Sequence, residues 1–267
     1  MTGLLRLLCL VAALPAAAQD YDCLMDPAEE IELGSSATGL LLERLVDRGD
    51  TVKKGQLVAR LKSEIERSTV ELLETRAESS AVIDAQRRQL EMIERRYERV
   101  ATLRERGVAT EEQFDAVEAE RIASQSLLFQ AELNREIAVK ELERARISLD
   151  QREIRSPVDG IVAEAVLSAG EYVGSDDHLV RIVRLDPLKI EAFLPVSLYG
   201  EVSLGDSATV RPVAPLDGAY EAKIVAIDRV FDAASSTFVV VLELPNETGQ
   251  LPAGHRCRLA LGPPDRG

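Results

Sequence analysis

The sequence predicts an α+β protein in which a long helical hairpin is inserted into a β-sheet body. The 92 residues from 62 to 153 contain one glycine, Gly107, and no proline. The other 175 residues contain 15 glycines and all 11 prolines. Helix interiors exclude proline and disfavour glycine, whereas β proteins use both in their turns. The chain of 267 residues is long enough for more than one domain.

The overall composition excludes several functional classes. A formal net charge of -14 disfavours binding to nucleic acid, which requires clustered Lys and Arg. Two histidines and three cysteines leave little material for a transition-metal centre, and we expect no metal site and no cofactor. His178 beside two aspartates could suggest a metal corner, and the Ser235–Thr237 cluster a nucleophile, but we interpret the first as a turn and the second as a loop before a strand.

The first 18 residues are typical of a secretory signal peptide. Arg6 precedes an apolar run from 7 to 14, and three alanines at 16–18 offer a cleavage site. The run is too short to cross a bilayer, and no other run of about 18 apolar residues follows it. We therefore predict export to the periplasm and association with the membrane through partners only. A buried N-terminal helix is the alternative.

Export would leave two cysteines, Cys23 and Cys257, in an oxidising compartment. A disulfide between them would join the two ends of the chain and close a very long loop. Two separate buried thiols are the alternative.

Residues 62–153 contain 16 basic and 21 acidic residues, with apolar residues at the three- and four-residue steps of a coiled coil. These apolar residues form the predicted contact between the two halves of the segment, here called the seam. Polar residues interrupt it, such as Arg76, Ser79, Ser124 and Arg135. The predicted seam residues are Leu72, Ile83, Leu90, Ile93, Tyr97 and Val100 on the first arm, and Phe114, Val117, Leu128, Ala131, Ala138, Leu142, Ala145 and Leu149 on the second.

A turn divides this segment into two arms. Gly107 suits the left-handed position that ends a helix, and Thr110 with Gln113 forms the pattern of a capping box that starts the next. Each arm is then about 43 residues, or roughly 65 Å long. One continuous helix is the alternative that the turn argues against.

The segments that flank the hairpin, 39–61 and 154–185, follow one scheme of glycine, strand, turn, valine, turn and strand. Val52 matches Val173 in this internal repeat. Alternating apolar residues predict two halves that pair into one β-sandwich. Residues 19–38 are interpreted as an N-terminal lead-in.

A split biotinyl/lipoyl-like β-sandwich with a coiled-coil hairpin between its halves resembles the periplasmic adaptors of bacterial efflux pumps, the membrane fusion or HlyD-like proteins. The resemblance extends from about Gly34 to Gly262. It implies a small β-barrel domain over 186–263, with one short helix near 196–204, and a conduit without enzymatic chemistry. In lipoyl and biotinyl carrier domains the lysine that is modified lies in the turn that joins the two halves. Here the hairpin replaces that turn, so we expect no such lysine.

Adaptors that dock onto a TolC-type outer-membrane channel resemble one another in an Arg, Leu and Ser/Thr pattern at the hairpin turn. Arg99, Leu103 and Thr110 match that pattern here. The alternative is that Arg99 is a solvated charge, Leu103 a seam residue and Thr110 only an N-cap.

The resemblance also implies a homo-oligomeric ring that joins an RND-type inner-membrane transporter to the channel and exports small molecules or metal ions. The further membrane-proximal β domain of many adaptors is expected to be absent. The alternatives are an adaptor of an ABC-type exporter and a periplasmic coiled-coil scaffold.

Overall fold

A computed structural model describes residues 20–262, so the predicted signal peptide lies outside the described residues. Five strands precede the helices in this range: β1 (Asp20–Asp26), β2 (Glu29–Gly34), β3 (Gly39–Arg44), β4 (Thr51–Val52) and β5 (Leu57–Leu61). The helices are α1 (Glu64–Glu78), α2 (Ala81–Glu105) and α3 (Glu111–Asp150). Then follow β6 (Glu153–Arg155), β7 (Gly160–Ala165), β8 (Tyr172–Val173), β9 (His178–Arg184), β10 (Leu188–Pro195), a 3-10 turn (Val196–Leu198), β11 (Ser207–Pro212), β12 (Tyr220–Ile227), β13 (Thr237–Leu244) and β14 (His255–Leu261).

The sandwich consists of two four-stranded sheets, in the orders β2-β9-β7-β4 and β6-β5-β3-β8. The two halves of the sequence repeat exchange their shortest strands, since β4 pairs with β7 and β8 pairs with β3. Val52 lies opposite Gly160, and Val173 lies opposite Gly39. Both valines are fully buried in the common core. Each half therefore contributes a strand to the sheet of the other.

A closed six-stranded barrel, in the order β1-β10-β13-β12-β11-β14, forms the second β unit. Its core shows the two-residue period of strands with one buried face. On β10 and β13 the inward residues are Leu188, Ile190, Ala192, Leu194, Phe238, Val240, Leu242 and Leu244.

The described lead-in residues are part of both β units. β1 pairs with β10 and β14 and closes the barrel, and β2 pairs with β9 at an edge of the sandwich. Buried Cys23 and Met25 alternate with more exposed neighbours on β1. The predicted helix near 196–204 is a single 3-10 turn over Val196–Leu198. Gly205, at φ 89°, then redirects the chain towards β11.

Asn246 fixes the connection between the sandwich and the barrel. Its side-chain amide donates to the carbonyl oxygens of Leu185 and Leu251, at 3.0 and 2.9 Å, and its oxygen accepts from the Leu251 amide. The carboxylate of Asp186 accepts from the backbone amide of Asn246 at 2.8 Å. Because Leu185 and Asp186 link β9 to β10, these bonds hold the interdomain linker against a barrel turn.

The two arms of the hairpin differ. α3 runs unbroken for 40 residues, but the first arm breaks at Ser79–Ser80 into helices of 15 and 25 residues. The prediction of a continuous first arm is wrong. Ser79 is extended, at φ -68° and ψ 119°, and Arg135 of α3 donates from Nε to the Ala77 carbonyl at 3.2 Å. This bond satisfies one of the carbonyl groups left free where α1 ends.

The seam largely follows the predicted spacing, with one change near the break. Leu72, a predicted seam residue, is 55% exposed, and its neighbour Leu73 is half-buried. The break shifts the phase of the helix, so Ala77 of α1 and Ile83 of α2 both face α3. The buried residues of the hairpin are Ala77, Ile83, Ile93, Phe114, Val117, Ser124, Ala131 and Leu142.

Ion pairs join the two arms along their length. Exposed pairs contribute less than about 1 kcal/mol each, but their order is consistent with one register between the helices. The pairs are Glu66–Arg152, Glu74–Arg146, Arg87–Glu132, Arg96–Glu120 and Arg104–Glu111.

An aromatic clamp holds the arms together near the turn. The rings of Tyr97 and Phe114 lie 5.2 Å apart between centroids. The Arg104 guanidinium lies 3.6 Å from the Phe114 ring centre, and that of Arg121 lies 4.8 Å from the Tyr97 ring centre. Each cation–π contact is worth about 0.5–2 kcal/mol. The seam is therefore stabilised most specifically just below the tip.

Cys23 and Cys257 lie directly opposite each other on β1 and β14, with their Cα atoms 4.8 Å apart, and the structure joins their sulfur atoms. We predict that neither cysteine of the exported, denatured protein reacts with N-ethylmaleimide until a reductant is added. The double variant Cys23→Ser/Cys257→Ser should lose about 3 kcal/mol of unfolding free energy. Alkylation of either thiol without reductant would contradict the bond.

We predict that Phe114→Ala opens the hairpin tip, because removing a buried phenylalanine costs about 3 kcal/mol. Hydrogen exchange of the Gly107–Ala109 amides measures this opening. Phe129→Ala is the matched control, because Phe129 lies on the same helix but is 67% exposed, whereas Phe114 is 6% exposed. Equal exchange rates in the two variants would show that the clamp does not hold the tip.

Candidate docking site at the hairpin tip

The turn between α2 and α3 is compact because the backbone hydrogen bonds close it. The Gly107 amide donates to the Arg104 carbonyl at 2.9 Å, and the Val108 amide donates to the Leu103 carbonyl at 2.9 Å. Gly107 has φ 72°, the left-handed conformation that ends many helices and that glycine adopts without strain. The turn therefore presents its side chains from a defined backbone.

Thr110 starts α3 through the capping box that the sequence predicts. Its Oγ1 accepts from the Gln113 amide at 3.2 Å, and the Gln113 side-chain oxygen accepts from the Thr110 amide at 3.1 Å. A hydroxyl group also has one proton to donate, and Thr110 is exposed. The residue can thus cap the helix and donate a hydrogen bond to a partner at the same time.

Arg99 and Leu103 lie on one face of α2, because residues four positions apart are neighbours on a helix. Arg99 is exposed and forms no ion pair with another residue in the range 20–262. The Leu103 side chain is 41% exposed. An unpaired guanidinium with several donors therefore lies one helical turn below an exposed apolar side chain.

Val108 is a tip residue that the sequence reasoning did not select. It is 69% exposed, and its amide bonds to Leu103. The segment was interpreted only as a helix break, yet a branched apolar residue in a solvent-facing turn was a signal of a contact surface. Leu103 and Val108 together give the tip two exposed apolar side chains.

The structure thus brings the three predicted residues to one end of the hairpin. The Leu103 carbonyl accepts from the amides of both Val108 and Ala109, immediately before Thr110. Arg99 lies one helical turn below Leu103 on α2. This arrangement offers donors and apolar anchors for a protein surface.

The two candidates for chemistry in the sequence, His178 and the Ser235–Thr237 cluster, lie where strands β9 and β13 begin. Hydrogen bonds from the Ala234 amide and the Ser235 hydroxyl lower the pKa of Asp232, so its carboxylate is a weak base that orders a turn. The interpretation of His178 as a turn residue is wrong, because His178 pairs with Gly34 as the first residue of β9. Across residues 20–262, no group of three or more His, Cys, Asp or Glu side chains is arranged to hold a metal ion.

The length and the polarity of a helix determine whether it could cross a bilayer. None of the helices between residues 20 and 262 combines the length and the apolar character that a transmembrane crossing requires.

Comparison with known proteins relates both the sequence and the fold to one group. The chain is 27% identical over 230 residues to the nodulation protein NolF of Rhizobium meliloti, which covers 86% of this chain and 59% of that protein. It is 23% identical over 192 residues to the pyoverdine export membrane fusion protein PvdR of Pseudomonas aeruginosa, covering 72% of this chain and 48% of PvdR. The chain therefore spans about half the length of these curated relatives.

Among solved structures, MacA from Actinobacillus actinomycetemcomitans superimposes with a TM-score of 0.77 at 19% identity, over 91% of this chain and 78% of MacA. The family described as CzcB-like, barrel-sandwich hybrid domain matches residues 30–184, which include the sandwich and the inserted hairpin. The chain belongs to this family of CzcB-like barrel-sandwich hybrid proteins, and its fold is that of the membrane fusion proteins.

Proposed function

We propose that this protein is a non-enzymatic periplasmic adaptor that links an inner-membrane transporter to a TolC-type outer-membrane channel. In this role it supports the export of small molecules or metal ions. The observation that carries the proposal is the tip of the hairpin, where exposed Arg99 and Leu103 of α2 and Val108 of the turn lie at the far end of the 40-residue helix α3. Such a tip is suited to contact with a distant protein.

The chemistry of the tip matches a partner that presents backbone carbonyl groups and an apolar cleft at the end of its helices. Arg99 and Thr110 supply donors, and Leu103 supplies a side chain of the size that anchors protein interfaces. The clamp below the tip reduces the entropy lost on binding, because the presenting backbone is already ordered.

For the inner-membrane partner we propose an RND-type transporter. The export function in the name of PvdR supports a transport role for relatives of this chain. Co-purification with the transporter encoded beside this gene would separate an RND-type partner from an ABC-type one.

The outer face of α3 supports the proposal that several copies assemble into a ring. Exposed apolar residues follow an arc of about 80° on the side of α3 that faces away from the seam. Within 20–262 they are Ile122, Phe129, Leu133, Ile137 and Ile147.

Charge favours a neighbouring copy as the occupant of this stripe. α2 contains six basic and five acidic residues, whereas α3 contains five basic and ten acidic residues. In a ring, contacts are heterologous, so basic side chains on α2 of one copy can face acidic side chains on α3 of the next.

We predict that Leu103→Glu weakens binding to the purified TolC-type channel of the same organism by at least about 30-fold, since an interface anchor contributes about 2 kcal/mol. Arg99→Asp should act in the same direction, because it replaces a hydrogen-bond donor with a carboxylate, which cannot donate to carbonyl groups. Surface plasmon resonance measures the affinity, and ethidium accumulation in cells measures export.

Leu72→Glu and Arg88→Asp are the matched controls, since they make the same changes at exposed positions far from the tip. Wild-type affinity and export in Leu103→Glu and Arg99→Asp would refute the docking site.

We predict that Phe129→Glu/Ile137→Glu shifts the purified protein towards the monomer, because two charges would enter an apolar contact. Sedimentation velocity across a concentration series measures this shift. Leu127→Glu is the control, because Leu127 is half-exposed on the same helix but lies off the stripe. An unchanged distribution of species in Phe129→Glu/Ile137→Glu would rule out this face as the contact between copies.

A further inference from the structure

The hairpin joins the sandwich through two very short connections. Lys62 and Ser63 separate β5 from α1, and Gln151 and Arg152 separate α3 from β6. The Leu61 amide donates to the Arg152 carbonyl at 2.8 Å, which continues the pairing of β5 with β6 up to the helices. Two short connections side by side act as a hinge, and without further contacts the hairpin could rotate about this hinge relative to the sandwich.

The Arg152 side chain adds a contact that crosses this joint. Its Nη1 donates to the Thr38 carbonyl at 2.8 Å, and Thr38 immediately precedes β3 of the sandwich. Its Nη2 donates to Glu66 Oε1 at 2.6 Å, in the first turn of α1. One guanidinium therefore connects the body to the hairpin.

The Arg152–Glu66 ion pair is less exposed to solvent than the other ion pairs that join the hairpin arms. The side chains of Arg152 and Glu66 are 21% and 18% exposed, whereas those of Arg146 and Glu74 are 56% and 41% exposed. Partial burial strengthens the attraction between the charges and reduces screening by salt. The planar guanidinium also holds two acceptors in fixed directions, which a lysine does not.

Gly39 shows that the local sequence makes room for this side chain. A Cβ atom on Gly39 would lie 2.7 Å from Arg152 Nη1. The backbone of Gly39 is not in the left-handed region, so conformation does not require glycine at this position. The steric reason remains, since an alanine would displace the guanidinium from Thr38.

The joint has free space beside the contact. A cleft of about 300 Å³ opens there, and its lining includes Ser63, Arg67, Leu149 and Arg152. Packing on this side therefore does little to resist movement of the helices, and the directional bonds of Arg152 gain importance.

We propose that Arg152 is a positioning residue that fixes the angle at which the hairpin leaves the sandwich. The inference rests on the proposed function only in its consequence, namely that this angle determines whether the tip reaches its partner. The contact itself is a property of the isolated chain.

The test measures the angle directly in the purified full-length protein. Nitroxide labels are attached through p-acetylphenylalanine at exposed Arg48 in the sandwich and exposed Gln89 on α2, and electron–electron double resonance gives their distance distribution. Arg152→Gln should broaden the distribution roughly twofold, as expected for a released hinge. Glu66→Gln should broaden it less, because the bond to Thr38 remains, and Gly39→Ala should resemble Arg152→Gln.

Arg146→Gln is the matched control, since it also removes an arginine–glutamate pair to α1, but from within α3 and without touching the sandwich. A wild-type width in Arg152→Gln, or equal broadening in Arg146→Gln, would overturn the proposal. If Arg152→Gln loses its fold by circular dichroism, Glu66→Gln decides in its place, and a wild-type width there would overturn the proposal.

Ethidium accumulation separates this inference from the proposed function. Reduced export by Arg152→Gln, with affinity for the channel retained, would support the positioning role. Wild-type export by Arg152→Gln despite a broadened distribution would overturn the consequence for function. If the wild-type protein neither binds the channel nor supports export, the adaptor proposal fails while the distance measurement still decides the role of Arg152.

Discussion

The architecture depends on the exchange of short strands between the two halves of the sandwich. β4 completes the sheet of the second half, and β8 completes the sheet of the first, so neither half buries its core alone. The halves are held together by these exchanged strands and by the pairing of β5 with β6, so they do not depend on a short covalent joint between β5 and β6. The hairpin can therefore be long without weakening the body, and the barrel follows as a separately closed unit.

Local signals in the sequence were sufficient to predict the hairpin, its turn and the paired halves. Gly107 and the Thr110–Gln113 capping box are short-range features, and the structure shows both. The break at Ser79–Ser80 was not predicted, because the hydrogen bond that supports it joins the Ala77 carbonyl to Arg135, 58 residues away in the chain. The strand β1 was missed for a similar reason, since only its pairing with β10 and β14 distinguishes it from a loop.

The residues of the candidate site also fall into two groups, those that the sequence indicated and those that only the fold reveals. Arg99, Leu103 and Thr110 were selected because their spacing matches the pattern of a resembling family. The fold brings them to one end of the hairpin. Val108 was missed because its exposure depends on the direction of the turn, which sequence does not give. The contacts of Arg152 with Thr38 and Glu66 span 114 and 86 residues, so no local pattern indicates them.

The length of α3 connects the base of the hairpin to its tip. A helix of 40 residues is about 60 Å long, so a rotation of about 10° at the base displaces the far end by roughly 10 Å. That displacement equals the diameter of a helix and exceeds the reach of a hydrogen bond several times over. Clamping the tip with Tyr97 and Phe114 orders the docking surface but cannot correct such a displacement. A protein that contacts a partner through Leu103 must therefore control the angle at the base, where small rotations have their largest effect.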